Sequence, residues 1–184
     1  SAVETIDDIP DFYFQAIGSG TGAIAAHEAN LRLIQNEKYG GKIMSLQLSQ
    51  NIPFTPIYDA WKAQSNVIEK IDEKEAYDKI NKINAKVLSN RKPPYSIAGG
   101  LYDCLKSSSG DVSAVSNEEG VEAQKLFEEM EGCDICPESG IALASLIQKV
   151  RNGNLPKNAK IMLNITGGGL HKLFKDYEPK YVKP

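Results

Sequence analysis

Residues 12–34 read FYFQAIGSGTGAIAAHEANLRLI, an apolar run that passes into a helical pattern across three alternating glycines, Gly18, Gly20 and Gly22. Residues 12–17 suit a buried strand, and 22–37 suit a helix with Ile24, Leu31 and Ile34 on a background of small residues. The first N–H groups of a helix lack intrahelical acceptors and carry a partial positive charge of about half a unit, which attracts anions. Glycines let the backbone approach such an anion closely, and Ser19 and Thr21 add hydroxyl donors. The loop has no lysine and no GK[ST] ending, so it is not a nucleoside-triphosphate loop. A dinucleotide fingerprint fits only loosely. Ala23 stands at its third glycine, and the next strand ends Leu48-Ser49-Gln50-Asn51, with no acidic residue for a ribose. A phosphate group fits this corner best; a tight turn without a ligand is the plainer alternative.

The rest of the chain keeps a strand–helix rhythm. Strands are expected at 42–48, 112–115 and 160–165. A short helix at 55–63 starts on Thr55 and Pro56, and a polar helix at 72–88 has Ala76, Ile80, Ile83 and Val87 as its buried stripe. The paired prolines of SNRKPPYS mark a loop, followed by a short helix at 96–105. Ser116 caps a helix at 117–131 with Glu119 in the capping-box position, another helix covers 139–151, and the tail KDYEPKYVKP reads as extended and peripheral. Short apolar strands alternating with helices predict an α/β fold, a three-layer αβα arrangement with a mostly parallel sheet. Ligands of such sheets bind at the carboxyl ends of the strands.

Composition narrows the function classes. The 184 residues carry a net charge of −3, with 41% apolar and 24% charged residues, so nothing global favours nucleic acid or an anionic membrane. No apolar run approaches a membrane span, and no signal peptide is visible. The chain opens on Ser1 rather than Met, and is expected to be processed, tagged or cut from something longer. Cys104, Cys133 and Cys136 form no disulfide framework and suit a reducing cytoplasm. Cys133 and Cys136 have CxxC spacing, but the remaining metal-ligand types, Cys104, His27 and His171, are distant in sequence, so no metal is expected. His27 reads as a packing or helix-surface residue, and His171 has a place near a ligand's rim or none. Trp61 and Tyr58 read as anchors of a short helix.

MLNITGGGLHKL, residues 162–173, repeats the strand-end glycine pattern and places Thr166 before Gly167–Gly169. Two such corners suggest a flat cofactor held by its phosphate at one and by its ring at the other. At these residues the chain resembles the larger-domain part of the fold-type II pyridoxal-phosphate enzymes, in the threonine synthase group. GSGTG matches the group's phosphate loop, NITGGG resembles its late LTGxG motif, and CPESGIALASL resembles its EPxSAxxLA segment. LSQNIPFTPIYDAWKA and VLSNRKPPYSIAGGLYD look most like the cysteate synthases of that group, and the resemblance covers essentially the whole chain.

The resemblance implies that Gly18, Ser19, Gly20, Thr21 and Gly22 hold the phosphate of pyridoxal 5′-phosphate while Thr166 meets the pyridine nitrogen. It implies a β-replacement in which O-phospho-L-serine loses phosphate and gains sulfite to give L-cysteate, on a route to coenzyme M. Threonine synthase chemistry on phosphohomoserine, and a non-catalytic phosphate-binding domain, stay open beside it. Ser49, Gln50, Asn51, Arg91 and Lys92 are candidates to receive the anionic reactants; plain surface charge is an equal reading of Arg91 and Lys92. The family's EPxS glutamate position is Cys136 here, so a role resting on that carboxylate does not carry over. The lysine that anchors the cofactor comes from the smaller domain, well before the glycine loop, and the 17 residues ahead of Gly18 contain none. The expectation is therefore that 1–184 is a C-terminal larger domain without its lysine-bearing N-terminal half, without a catalytic residue of its own, inactive alone, and homo-oligomeric like the family.

Overall fold

The structure, a computed structural model, describes residues 2–170 and residue 173. The expectations for His171 and for the tail lie outside these residues. Four parallel strands, β1 (Phe12–Ala16), β2 (Ser45–Asn51), β3 (Asp111–Val115) and β4 (Ile161–Leu163), form one sheet in the order β3-β2-β1-β4. The helices are α1 (Ala2–Ile6), α2 (Thr21–Gln35), α3 (Pro56–Lys62), α4 (Glu73–Ile80), α5 (Leu101–Ser107), α6 (Asn117–Glu131) and α7 (Pro137–Arg151).

Alternation along the strands decides which helix lies on which face. Leu46 and Leu48 of β2, Tyr13 of β1 and Val112 of β3 join one buried cluster with Ile57 of α3 and Leu101 and Leu105 of α5. Val115 and Ala16 point the other way, to Ala123 of α6 and Ile141 and Ala144 of α7. On this second face the two helices cross at glycines. A Cβ on Gly140 would stand 2.7 Å from the Gly120 carbonyl oxygen, so the backbones approach where side chains are missing. The result is the expected α/β sandwich of three layers.

Several boundaries differ from the sequence reading, each for a local reason. The second strand runs three residues later, because Asn30 of α2 takes up the segment before it: Asn30 Nδ2 donates to the Lys42 carbonyl and Met44 N–H donates to Asn30 Oδ1. Its polar end stays in the sheet because Ser49, Gln50 and Asn51 are all buried and hydrogen-bonded. The helix expected over 72–88 ends at Ile80. Asn117 captures the next turn by donating to the Lys82 carbonyl and accepting from Asn84 N–H. Ile83 stays buried, but Val87 is 72% exposed and Leu88 takes its place in the core from a short 3-10 turn, Lys86–Leu88. Residues 96–100 are turns rather than helix, with Gly99 at φ +69°. The capping box of α6 forms as expected, Glu119 N–H donating to Ser116 Oγ and Ser116 N–H to Glu119 Oε2.

At the amino edge of β3, Asp111 ties three elements together. It accepts from Trp61 Nε1 and Lys62 Nζ of α3 and from Lys149 Nζ of α7, the last at 2.6 Å. Burial alone would push its carboxyl upward; the hydrogen bonds from Lys149 and Lys62 outweigh this and hold it down to about 2. A carboxyl depressed in the folded state contributes stability that is complete above its unfolded value near 3.9 and is lost as pH falls through about 2. Asp111→Asn is therefore expected to cost about 2 kcal/mol at pH 7, and the gap between variant and wild type is expected to close between about pH 4 and pH 2. Urea unfolding across that range reads it; a gap independent of pH would contradict the assignment.

Candidate cofactor site

Residues 18–22 follow β1, residues 164–168 follow β4, and the two strands are neighbouring and parallel. Both glycine corners therefore open at the same carboxyl edge of the sheet, as the topology predicted.

At the first corner each glycine has a protein neighbour. A Cβ on Gly18 would meet the Val87 carbonyl oxygen at 3.0 Å and Leu88 Cα at 3.2 Å. Gly20 has φ +78° and faces Leu101, and Gly22 lies over the Gln15 side-chain amide. The glycine spacing thus answers first to packing of the loop on its own core. The case for an anion rests on what remains open. Gly20 makes no side-chain cap for α2, no carboxylate stands in the helix's first turn, and Ser19 Oγ and Thr21 Oγ1 lie 3.0 Å apart. Ile24 N–H is the first to reach back into the helix, to the Gly20 carbonyl, and Thr21 N–H contacts Ser19 Oγ at 3.3 Å. Gly22 and Ala23 N–H are left as first-turn donors beside the two hydroxyls. This donor set, all neutral and on the positive end of a fifteen-residue helix, suits a phosphate dianion.

The second corner is held by α7. Thr166 N–H donates to Ser139 Oγ at 2.9 Å, the two hydroxyls are 3.3 Å apart, and Cys136 Sγ lies 3.1 Å from Ser139 Oγ and 3.6 Å from Thr166 Oγ1. A backbone pair locks the arrangement: Cys136 N–H donates to the Gly167 carbonyl and Gly169 N–H to the Asp134 carbonyl. Ser139 is 1% exposed while Thr166 is exposed, so the buried hydroxyl orients the open one. Sequence reasoning singled out Thr166 and missed Ser139. Its signal was present, since Ser139 is the serine of the segment that resembles EPxS.

A partly buried polar relay runs between the corners. Asn164 Nδ2 donates to Tyr13 Oη, which donates to Gln15 Oε1 beneath Gly22. Burial pushes the Tyr13 hydroxyl up and the Asn164 bond acts against it, so the phenol stays protonated as the relay requires.

The other singled-out residues are placed as follows. Ser49 Oγ donates to the Ile141 carbonyl, Asn51 bridges Val115 to Asn84 and Ala85, and Gln50 Oε1 accepts from Ile57 and Tyr58 N–H at the start of α3. Of their side-chain polar atoms only Gln50 Nε2 has no partner among the described residues. Arg91 and Lys92 are exposed and line a cavity beside α3 and α4. His27 is 6% exposed, its Nε2 2.9 Å from Ser107 Oγ between α2 and α5, and burial pushes its pKa down. Trp61 anchors α3 through Asp111 and packs edge-on to Tyr102 at 5.9 Å. Cys133 is exposed and Cys104 buried.

The profile of a family described as pyridoxal-phosphate dependent enzymes matches residues 2–167. A cysteate synthase of Methanosarcina acetivorans is 48% identical over all 184 residues, and one of Methanosarcina mazei 49%. The chain spans 44% of the length of each of these two relatives. Among solved structures, a threonine deaminase from T.th. superposes over 91% of this chain and 52% of its own at a TM-score of 0.60 and 14% identity. Serine racemase from Dictyostelium discoideum does so over 91% and 46%, at 0.62 and 18%. These two likenesses concern the fold. The profile match covers nearly the whole described structure, with the first glycine corner and the second as far as Gly167, and the chain belongs to the family of pyridoxal-phosphate dependent enzymes.

Proposed function

We propose that this chain is the cofactor-cradling, larger-domain portion of a β-replacement enzyme of the cysteate synthase kind, acting on O-phospho-L-serine and sulfite to give L-cysteate and phosphate. The observation that carries the reading is the convergence of an uncapped α2 with Thr166 on adjacent parallel strands, in a chain 48% identical throughout to a cysteate synthase. Pyridoxal phosphate, when bound, supplies the electron sink for losing one β-substituent and accepting another.

The residues here bind and orient. Ser19 and Thr21 hydroxyls with the N–H groups of Gly22 and Ala23 hold the phosphate, and the glycines keep the loop tight against Leu88 and Leu101. The Thr166 hydroxyl meets the ring nitrogen. It is neutral, so it does not force a proton onto the ring as a carboxylate would. Ser139 sets its direction by accepting Thr166 N–H. The exposed Arg91 and Lys92, and the buried Gln50 Nε2 that has no partner among the described residues, are the candidate donors for anionic reactants, while Ser49 and Asn51 hold the strand end in shape. The lysine that anchors the cofactor and moves the substrate's proton belongs to polypeptide outside this chain, which accords with a chain spanning 44% of its relatives. The free thiols suit a reducing cytoplasm, and a homo-oligomer built on this domain is part of the reading.

Assays of this chain alone, and of the chain joined to a lysine-bearing N-terminal half from a relative, test the proposal. The joined protein is expected to form cysteate from phosphoserine and sulfite, and the chain alone to form none. Turnover of phosphohomoserine to threonine instead would move the reading to threonine synthase. Turnover by the isolated chain would contradict the missing-lysine argument.

A further inference from the structure

The concavity that Arg91 and Lys92 line lies beside α3 and α4. Its volume is about 840 Å³, its floor is Phe54, Pro56 and Ala76, and its mouth carries the exposed cations Lys70, Arg91 and Lys92. None of the three cations has a carboxylate within 4 Å among the described residues, although Glu69 and Glu73 also line the cavity. Asn90 and Ser96 add neutral hydrogen-bonding groups. Unpaired cations around a concave apolar floor favour an anion, and two carboxylates lining the same cavity favour an ammonium in the same ligand. The volume exceeds what one amino acid fills, so charge rather than size selects the occupant.

The cavity sits close to the cofactor corner. Leu88 Cα is 3.2 Å from where a Cβ of Gly18 would stand, and Asn90 follows two residues later. With consecutive Cα atoms about 3.8 Å apart, Asn90 lies within roughly 11 Å of the glycine loop.

We propose that this cavity is a binding site for a small amino acid bearing an additional oxyanion, phosphate or sulfonate, and that it is separate from the cofactor loop. The oxyanion and α-carboxylate meet Arg91, Lys92 and Lys70, and the α-ammonium meets Glu69 or Glu73. The choice of an amino acid rests on the reaction proposed above; the anion site itself rests on the charges and the cavity. Such a site concentrates substrate, or retains product, at the rim of the reaction crevice.

Titration of the ¹⁵N-labelled 184-residue chain with O-phospho-L-serine, L-cysteate, inorganic phosphate, sulfite and L-serine, read by amide shifts and calorimetry, tests it. Phosphoserine and cysteate are expected to bind saturably and shift Ala76 and Ser96, with L-serine silent. Whichever of the two binds tighter supports the site and tells whether it serves substrate or product. Arg91→Ala/Lys92→Ala, at exposed positions where folding is checked from the same spectra, is expected to weaken both at least tenfold, and Ser19→Ala/Thr21→Ala to change neither by as much as twofold. Absence of saturable binding, or inorganic phosphate or sulfite binding as tightly as the amino acids, overturns the proposal. Loss of binding in the Ser19/Thr21 variant alone also overturns it, while leaving the cofactor-loop reading standing.

Discussion

Gly168→Ala is expected to lower the melting temperature by about 5–10 °C and to dislodge Thr166. A Cβ at this position would overlap the Asp134 carbonyl oxygen and stand 3.1 Å from Ile135 Cα, both backbone atoms that no rotamer change can move aside. The bridge between Ile135 and Gly168 must open, and with it go the hydrogen bonds from Cys136 N–H to the Gly167 carbonyl and from Gly169 N–H to the Asp134 carbonyl. Those bonds fix the start of α7 against the strand-end loop, so Ser139 no longer meets Thr166 N–H. Overpacking of this kind costs about 1–3 kcal/mol. Gly41→Ala is the control, because a Cβ there has no atom within 4 Å. Its expected effect is within about 0.5 kcal/mol of wild type. Calorimetric scans of the two variants compare them, and equal melting temperatures would contradict the packing argument.

Asn51→Ala is expected to cost about 2–3 kcal/mol by urea unfolding. Asn51 is fully buried; its Nδ2 donates to the Val115 carbonyl and its Oδ1 accepts from Asn84 and Ala85 N–H, both at 3.1 Å. Asn84 N–H retains Asn117 Oδ1 in the variant, but the buried Ala85 N–H loses its side-chain acceptor. The effect reaches the loop. Ala85 leads into the 3-10 turn whose Val87 and Leu88 backbone packs on Gly18, so the first glycine corner loosens with it. Asn51→Asp separates geometry from charge. It keeps the acceptor for Ala85 but turns a carboxylate oxygen towards the Val115 carbonyl, a repulsion relieved on protonation. Such a buried carboxyl is raised in the folded state, so the penalty is present at pH 7 and shrinks as pH falls through the raised value. A penalty that stays constant with pH would place the Asp side chain elsewhere.

The parts of the fold written in local chemistry were legible in the sequence. The box of Ser116 and Glu119 and the start of α3 at Pro56 depend on neighbours within a few residues, and the passage from β1 to α2 follows the local change from an apolar run to a helical pattern. What sequence missed depends on distant partners. Asn51 and Asn117 override a helical stripe from more than 30 positions away, ending α4 at Ile80 and exposing Val87. The same holds at the site. Thr166 is readable as a hydroxyl after a strand, but Ser139 acquires its role only where α7 meets β4's exit, 27 residues apart. The glycines show the reverse case. Their pattern signalled a ligand, whereas their nearest neighbours are Leu88, Leu101 and Gln15, and the anion's claim lies in the uncapped end of α2.

The most direct measurement is an amide titration of this chain with pyridoxine 5′-phosphate, which has the cofactor's ring and phosphate but no aldehyde to react with surface lysines. The account predicts that Gly22, Ala23 and Thr166 shift together along one binding curve, the two corners answering to a single molecule. Shifts at only one corner, or two curves with different midpoints, would mean that no shared pocket for a phosphorylated pyridine exists here.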